Sequence, residues 1–376
     1  MALKILHTAD LHLGMKFTTR GYAPEVQERL IDARFETLGS LIEVANKHDT
    51  DLLVIAGDLF HNTKVSRKDI LRTTTLLKKF EGRLILILPG NHDYIQKGDD
   101  PLWPIFIESA SENTLLLNEP KPYDLRRHDV DMVVYAAPCV SKRSSTNAIG
   151  WMHEYPKDAE TRFHIGIAHG SLEGLSPDFD EEYYPMSKKE LADAGIDLWL
   201  MGHTHIRYPD KENGTDARVF FPSTPEPDGF DCQHPGYVWL IELNDDKSVR
   251  YQSIRTGHYR FLTIQREIRG EDDVQALRSF FHEKGSEECL VRLKLEGRVR
   301  GEIYDERMSL VEELRGFVLH LEEDMANLLR EITLEDINRE FTQNSFPHSL
   351  LTMLATEHKN PLSLQMAYDL IREAKQ

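Results

Sequence analysis

Seven residues able to bind a metal, and two further histidines, recur in short polar turns, each directly after an aliphatic run. "LKILHTADLHLG" supplies Asp10 and His12, "DLLVIAGDLFH" supplies Asp58 and His61, and "LILILPGNHDY" supplies Asn91 and His92. "FHIGIAHGS" supplies His169, and "IDLWLMGHTH" supplies His203 and His205. Imidazole and carboxylate donors without cysteine suit manganese, iron or zinc and disfavour a structural zinc site. Asp10, His12, Asp58, Asn91, His169, His203 and His205 exceed what one ion needs. They suit two divalent ions about 3.5–4 Å apart that share a carboxylate. In Asp10-x-His12 two alternate residues leaving a strand reach the same side, and His203-x-His205 repeats that spacing.

Such turns act together only if strands bring their ends to one edge, the usual address of a site in an open α/β sheet. The aliphatic runs are short and suit interior strands. Helical patterns lie between them. "PEVQERLIDARFETLGSLIEVANKH" reads as one long amphipathic helix and "SRKDILRTTTLLKKF" as a second, with Ser66 as its N-cap. "SKKELADAG" is a short third, with Gly195 as the C-cap candidate. After Gly202 the chain turns strand-rich, in "ARVFFPST", "GYVWLIEL" and "VRYQSIRT". The expected fold class is α/β, with two sheets layered and flanked by helices. Beyond Tyr259 a small α+β module is expected, with a helix at "DDVQALRSFFHEKG", a strand at "CLVRLKLEGRV" and a long acidic helix from Ser309 to Asn327. Two short helical patterns, separated by Asn360-Pro361, close the chain.

At 376 residues, 40 % hydrophobic and 29 % charged, the chain can bury a large core. No run approaches the ~18 apolar residues of a membrane span. The first apolar run leads straight into Asp10 and His12, so no secretory signal is expected. Cys139, Cys232 and Cys289 are odd in number and widely spaced, which favours a reducing cytoplasm. The formal charge of −18 weighs against nucleic acid, but the local field matters more. Lys64, Arg67, Lys68, Arg72, Lys78, Lys79 and Arg83 make a basic segment immediately after His61. It serves equally as a phosphate-facing surface or as a solvated helix face.

The ordered series "DLH", "GDLFH", "GNHD", "AHG", "GHTH" resembles the calcineurin-like metallophosphoesterases. The histidine ending "GDLFH" narrows the resemblance to the SbcD-type DNA double-strand-break repair nucleases. The likeness is strong to about residue 255 and weaker over 260–300. It implies a four-layer αββα sandwich over residues 1–257, a capping domain over 258–335 and a C-terminal helical segment over 336–376 able to dock on an ATPase. It further implies two ions, manganese foremost, one held by Asp10, His12, Asp58 and His205, the other by Asp58, Asn91, His169 and His203. His92 would be the general acid and His61 would steady the phosphate, with Asp93 a candidate to orient His92. The implied activity is exonuclease and single-strand endonuclease hydrolysis of DNA in repair or end processing. The implied partners are an SMC-like coiled-coil ATPase and a second copy of the chain.

A phosphoesterase of small molecules or phosphoproteins is the alternative. The protein phosphatases of this fold carry Asp-Arg-Gly after the GD motif, where this chain reads "GDLFHNTK". A metal-poor scaffold is a third reading, disfavoured because no ligand position is degenerate. One departure from the family pattern is "FPSTPEP", with Ser223 where glycine is usual. His7, His153 and His164 match no motif position and read as structural.

Overall fold

A computed structural model describes residues 2–96, 98, 102–179, 182–358 and 361–374. Asn360 of the closing segment lies outside them. The chain divides into two compact units, Met1–Arg260 and Phe261–Gln376.

The first unit is built on two sheets. The seven-stranded sheet runs Asn213–Thr215, Val249–Arg255, Tyr237–Leu243, Leu3–Thr8, Leu52–Ala56, Leu84–Leu88 and Thr114–Leu116. The last four are mutually parallel. The six-stranded sheet runs Pro122–Asp124, Met132–Ala137, Phe163–His169, Leu198–Gly202, Val219–Pro222 and Arg207–Tyr208, with a parallel centre.

The aliphatic runs are apolar on both faces because each sheet is covered on both sides. Leu52, Val54, Ala56, Leu84, Leu86 and Leu88 point inward, against Val134, Ile165, Ile167, Leu198 and Leu200 of the facing sheet. Leu53, Ile55, Ile85 and Ile87 alternate with them. They point outward against Phe35, Leu38, Leu41 and Ile42 of the Pro24–Lys47 helix, and against Ile70, Leu77, Trp103 and Phe106 of the Arg67–Leu77 and Leu102–Ser109 helices. Trp199 and Met201 cover the outer face of the second sheet together with Leu191 of the short Lys188–Asp193 helix. Helix, sheet, sheet and helix give the four layers expected. Ser66 caps its helix by accepting the Asp69 N–H, and Gly195, at φ +66°, follows the short helix at the position only glycine adopts freely.

The second unit holds a three-stranded sheet of Arg260–Glu267, Cys289–Val299 and His320–Arg330. Helices Glu271–Lys284 and Gly301–Arg315 pack on it through Leu277, Phe281, Leu310 and Leu314. Here one expectation is corrected. The acidic stretch from Ser309 to Asn327 is not one helix, because the helix stops at Gly316 and residues 320–330 form a strand. That strand pairs in parallel with Cys289–Val299, and Glu322 meets Arg292 across the pair at 3.1 Å. A strand partner overrides the helical propensity of "LEEDMANLL".

The closing helices form their own cluster of Ile337, Phe341, Leu351, Leu364 and Tyr368. Gln365 accepts the Arg330 N–H at 2.7 Å, and Tyr368 donates to Glu340 at 2.5 Å. On the last helix, Pro361–Glu373, the four-residue repeat Leu362, Met366 and Leu370 lies outside that cluster. It is exposed at 54 %, 58 % and 64 %.

Candidate metal centre

Every residue singled out in the strand-end turns lies at the carboxyl ends of parallel strands in the first unit. Asp10, Asp58 and Asn91 leave the seven-stranded sheet; His169 and His203 leave the six-stranded one. His12, Asp58, His61, Asn91, His92, His203 and His205 line a cavity of about 510 Å³, while Asp10 and His169 are fully buried. The turns stack on one another: Asp10 N–H donates to Gly57 O and His12 N–H to Asp58 O.

The backbone is strained where the chemistry is densest. Asp10, His12, Asp58 and His203 have φ of 57°, 48°, 51° and 93°, a left-handed region that costs roughly 1–2 kcal/mol per non-glycine residue. Glycine supplies clearance: a Cβ at Gly57 would stand 1.9 Å from His169 Nδ1, and one at Gly90 2.2 Å from Asp58 Oδ1.

Hydrogen bonds decide which nitrogen of each ring is bare. His169 Nδ1 faces the Ala56 carbonyl at 2.9 Å, which can only accept, so Nδ1 carries the proton and Nε2 offers a lone pair. His203 Nε2 faces a carboxylate oxygen of Asp178 at 2.9 Å, so there Nδ1 is bare. Both bare nitrogens converge on Asn91 Oδ1, at 2.9 and 3.2 Å, while the Asn91 amide nitrogen is turned toward Lys142 O at 3.5 Å. Asp58 Oδ2 lies 3.5 Å from His169 Nε2. Four acceptors thus point at one another with no donor between them. Beside them, His12 Nε2 and His205 Nε2 stand 3.4 Å apart, 3.8 Å from Asp58 Oδ2 and Asp10 Oδ1 respectively. Asp58 belongs to both groups.

Converging acceptors need a proton or a cation between them. Burial opposes a charged His169, but Asp58 beside it draws the ring up to about 9. Asp58 is held well below the usual carboxylate range, burial again opposing and His169 prevailing. Burial holds Asp10 above that range, against the pull of His205 and His169. Nitrogen and oxygen donors in two adjoining groups with a common carboxylate fit a pair of divalent cations.

His92 and His61 flank this centre. The His92 N–H donates to Asp58 Oδ1 at 2.8 Å, and its ring Nδ1 donates to His61 O at 2.8 Å, leaving Nε2 available. Burial, then His92 and Arg34, push His61 down to about 4, so near neutral pH it meets a ligand as an uncharged ring. Asp93 does not orient His92. It is fully buried and accepts the Phe60 and Gly90 N–H groups at 2.9 and 2.7 Å, closing the turn. Burial and the Asp58 charge push it up to about 8. His164 is structural, bonded to Tyr135 Oη and Asp158 O, and His7 is buried in the first strand.

Several residues of the site carry no motif. Arg34, on the long helix, donates to Leu11 O between Asp10 and His12 at 2.6 Å, and pairs with Asp228 at 3.4 Å. Burial opposes ionisation of Asp228, but His205 and Arg34 hold its pKa far down. Asp228 and Asp178 line the cavity with Arg20, Asp231 and Tyr183. A buried arginine in an otherwise apolar helical stripe was a usable sequence signal; an aspartate in "SPDFDEE" was not. The Ser223 departure is also explained: it sits at φ +67°, where glycine is at ease, and the next residue, Thr224, donates to Asp10 O at 2.9 Å.

Residues 3–207 match the model of the calcineurin-like phosphoesterase family, and the chain belongs to that family. The fold and its candidate ligands imply divalent metals. Over 262 residues the chain is 26 % identical to YhaO of Bacillus subtilis, an uncharacterized metallophosphoesterase, covering 66 % of this chain and 60 % of that one. It is 25 % identical over 300 residues to the DNA double-strand break repair protein Mre11 of Haloferax volcanii, covering 78 % and 61 %. With Mre11 of Methanopyrus kandleri it shares 26 % over 293 residues, covering 73 % and 62 %. The chain therefore spans about 60 % of the length of these relatives. No helix among the described residues is long and apolar enough to cross a membrane.

Proposed function

We propose that the protein is a metal-dependent DNA nuclease that hydrolyses phosphodiesters with two divalent ions, manganese foremost. Asp10, His12, Asp58 and His205 would hold one ion; Asp58, Asn91, His169 and His203 would hold the other. Bound there, the ions would polarise the phosphoryl oxygens and lower the pKa of a bound water so that hydroxide is present near neutral pH.

The observation that carries the reading is His92. Its Nδ1 proton is committed to the His61 carbonyl, so Nε2 can bring a second proton to the cavity. A nucleoside alkoxide is a poor leaving group and needs that proton; an activated phosphate ester does not. His61, uncharged, donates a hydrogen bond to a phosphoryl oxygen. Of the basic segment, Arg72 and Arg83 are engaged with Asp32 and Asp51, whereas Lys64, Arg67 and Lys68 are exposed directly after His61 and can meet phosphates. The resemblance to Mre11 over 78 % of the chain supports DNA as substrate. The exposed Leu362, Met366 and Leu370 support docking of an SMC-like ATPase on the last helix. A homodimer acting in the cytoplasm completes the reading.

A second reading has its own support. Asp178 and Asp231 line the cavity beside Asp58, while Asp228 there is paired with Arg34, so among the described lining residues carboxylates outnumber Arg20, which favours a small phosphate ester over a polyanion. Manganese-dependent turnover of a 3′- and a 5′-labelled oligonucleotide, beside a nitrophenyl phosphomonoester and phosphodiester, separates the two. Release of mononucleotides from the oligonucleotide supports the nuclease. Hydrolysis of the small esters with an intact oligonucleotide overturns it in favour of the second.

A further inference from the structure

The two histidines that face Asn91 present opposite nitrogens, and different groups hold them so. His169 is fixed by a backbone carbonyl that cannot be lost by substitution. His203 depends on a side chain. We propose that Asp178 is the positioning residue of His203. By accepting the Nε2 proton it keeps the Nδ1 lone pair facing Asn91, and so sets how tightly the Asp58–Asn91–His169–His203 group takes its cation. This rests on the two-ion reading above.

Little else tells the two nitrogens of His203 apart. Its ring lies against Tyr183, with centroids 4.9 Å apart and planes at 42°, and against His169 at 5.4 Å and 70°. Ring contacts restrict tilt, but they are indifferent to which nitrogen bears the proton. A carboxylate is not, because ionised it can only accept. Removing it leaves the imidazole free to place its proton on Nδ1, where it would meet Asn91 Oδ1 at 3.2 Å and form an ordinary hydrogen bond. That tautomer satisfies both groups and closes the lone pair to a cation. The carboxylate therefore selects the tautomer that is worse without a metal and better with one.

Asp178 is tied to the turn it serves. Ser176, two residues earlier, shares a hydrogen bond of 2.5 Å with Thr204 Oγ1, the residue between His203 and His205. Its hydroxyl also accepts the Leu172 N–H at 2.8 Å, and the Ser176 N–H returns to Leu172 O. The loop and the histidine turn thus keep register. The other acceptor group, around Asp10 and His12, does not involve Asp178. Loss of the carboxylate should weaken one ion and spare the other, and outer carboxylate partners of metal-bound histidines are commonly worth about 10–100-fold in affinity.

The test is manganese titration of the full chain, followed by electron paramagnetic resonance, which distinguishes a coupled pair from a single ion. The wild type should take up two equivalents and give the coupled signal. Asp178→Ala should keep one equivalent at wild-type affinity, bind the second about 10–100-fold more weakly and give the signal of an isolated ion over that interval. Asp178→Glu should recover most of the loss, which a merely packed loop residue would not. Thermal unfolding of both variants checks that the loop has not collapsed. Two ions bound to Asp178→Ala as tightly as to the wild type, or both weakened alike, overturn the assignment. A wild type that takes up fewer than two ions overturns the two-ion reading itself, and the two failures are told apart.

Discussion

Replacing Gly57 by alanine probes the packing behind the centre without substituting a candidate ligand. A Cβ there would lie 1.9 Å from His169 Nδ1, 2.4 Å from Cγ and 2.7 Å from Cε1, so the ring must retreat by roughly 1.5 Å to reach ordinary contact. The ring has little room, since it is fully buried and a Cβ at Gly202 would already come within 2.8 Å of the same nitrogen. Gly57 also sits at φ +97°, which adds about 1–2 kcal/mol for alanine. With about 1–3 kcal/mol for overpacking, the variant should lose roughly 2–5 kcal/mol of stability. At about 2–4 °C per kcal/mol, that lowers the Tm by roughly 4–20 °C. A displacement beyond 1 Å should cost about 10²-fold or more in turnover. Gly195→Ala is the control: it has a comparable φ of +66° and nothing nearer than 3.9 Å, so it should cost about 1–2 kcal/mol and leave turnover unchanged. Calorimetry, manganese titration and hydrolysis of a nitrophenyl phosphodiester read the three quantities. A Gly57→Ala protein with wild-type manganese affinity and turnover would refute the reasoning, because His169 would then not need its present place.

Asp58→Asn should abolish phosphodiester hydrolysis and lower the affinity for both ions, since one charge serves both acceptor groups; metal analysis showing full occupancy with normal activity would contradict the shared role. His92→Gln should keep its metal content and lose about 10²-fold or more on DNA, with a much smaller loss on a nitrophenyl phosphodiester. Equal losses on the two substrates would remove His92 as the general acid. Replacing Leu362, Met366 and Leu370 together by serine should leave Tm unchanged while abolishing co-purification with the ATPase. Ending the chain near Glu340 should instead destabilise the second unit, because Tyr368 and Gln365 are removed from its interior; normal unfolding of that shortened protein would count against this.

What could be foreseen was decided locally. The unbroken apolar runs "LLVIA" and "LILIL" and the stripe from Val26 to Ala45 follow from length, period and burial, which neighbouring residues determine. The turn residues were legible because metal-capable side chains recur after five separate aliphatic runs, whereas any one of them alone is ordinary turn chemistry. The His320–Arg330 strand was not, since its formation depends on a partner some thirty residues away rather than on its own propensity. Asp178 and Asp228 were invisible for a related reason. One acidic residue in a polar loop resembles every other until the fold shows which histidine it faces. The left-handed backbone at Asp10, His12, Asp58 and His203 leaves no mark in the order of residues, though Asp and His are among the types that tolerate it.

The candidate ligands are divided between the sheets, and the division has a consequence for how the molecule is made. Asp10 and His203 are hydrogen-bonded across 193 positions of sequence. A growing chain that has reached only the middle of the six-stranded sheet possesses Asp10, His12, Asp58 and Asn91 but no facing histidines. Those four residues complete neither acceptor group, since one lacks His205 and the other lacks His169 and His203. Tight capture of an ion becomes available only once the later sheet has docked on the earlier one, a long-range closure that comes late in folding. Metal uptake during synthesis should therefore be abrupt rather than graded, and the bound ion would serve as a clasp that fastens after assembly, not as a seed around which assembly begins.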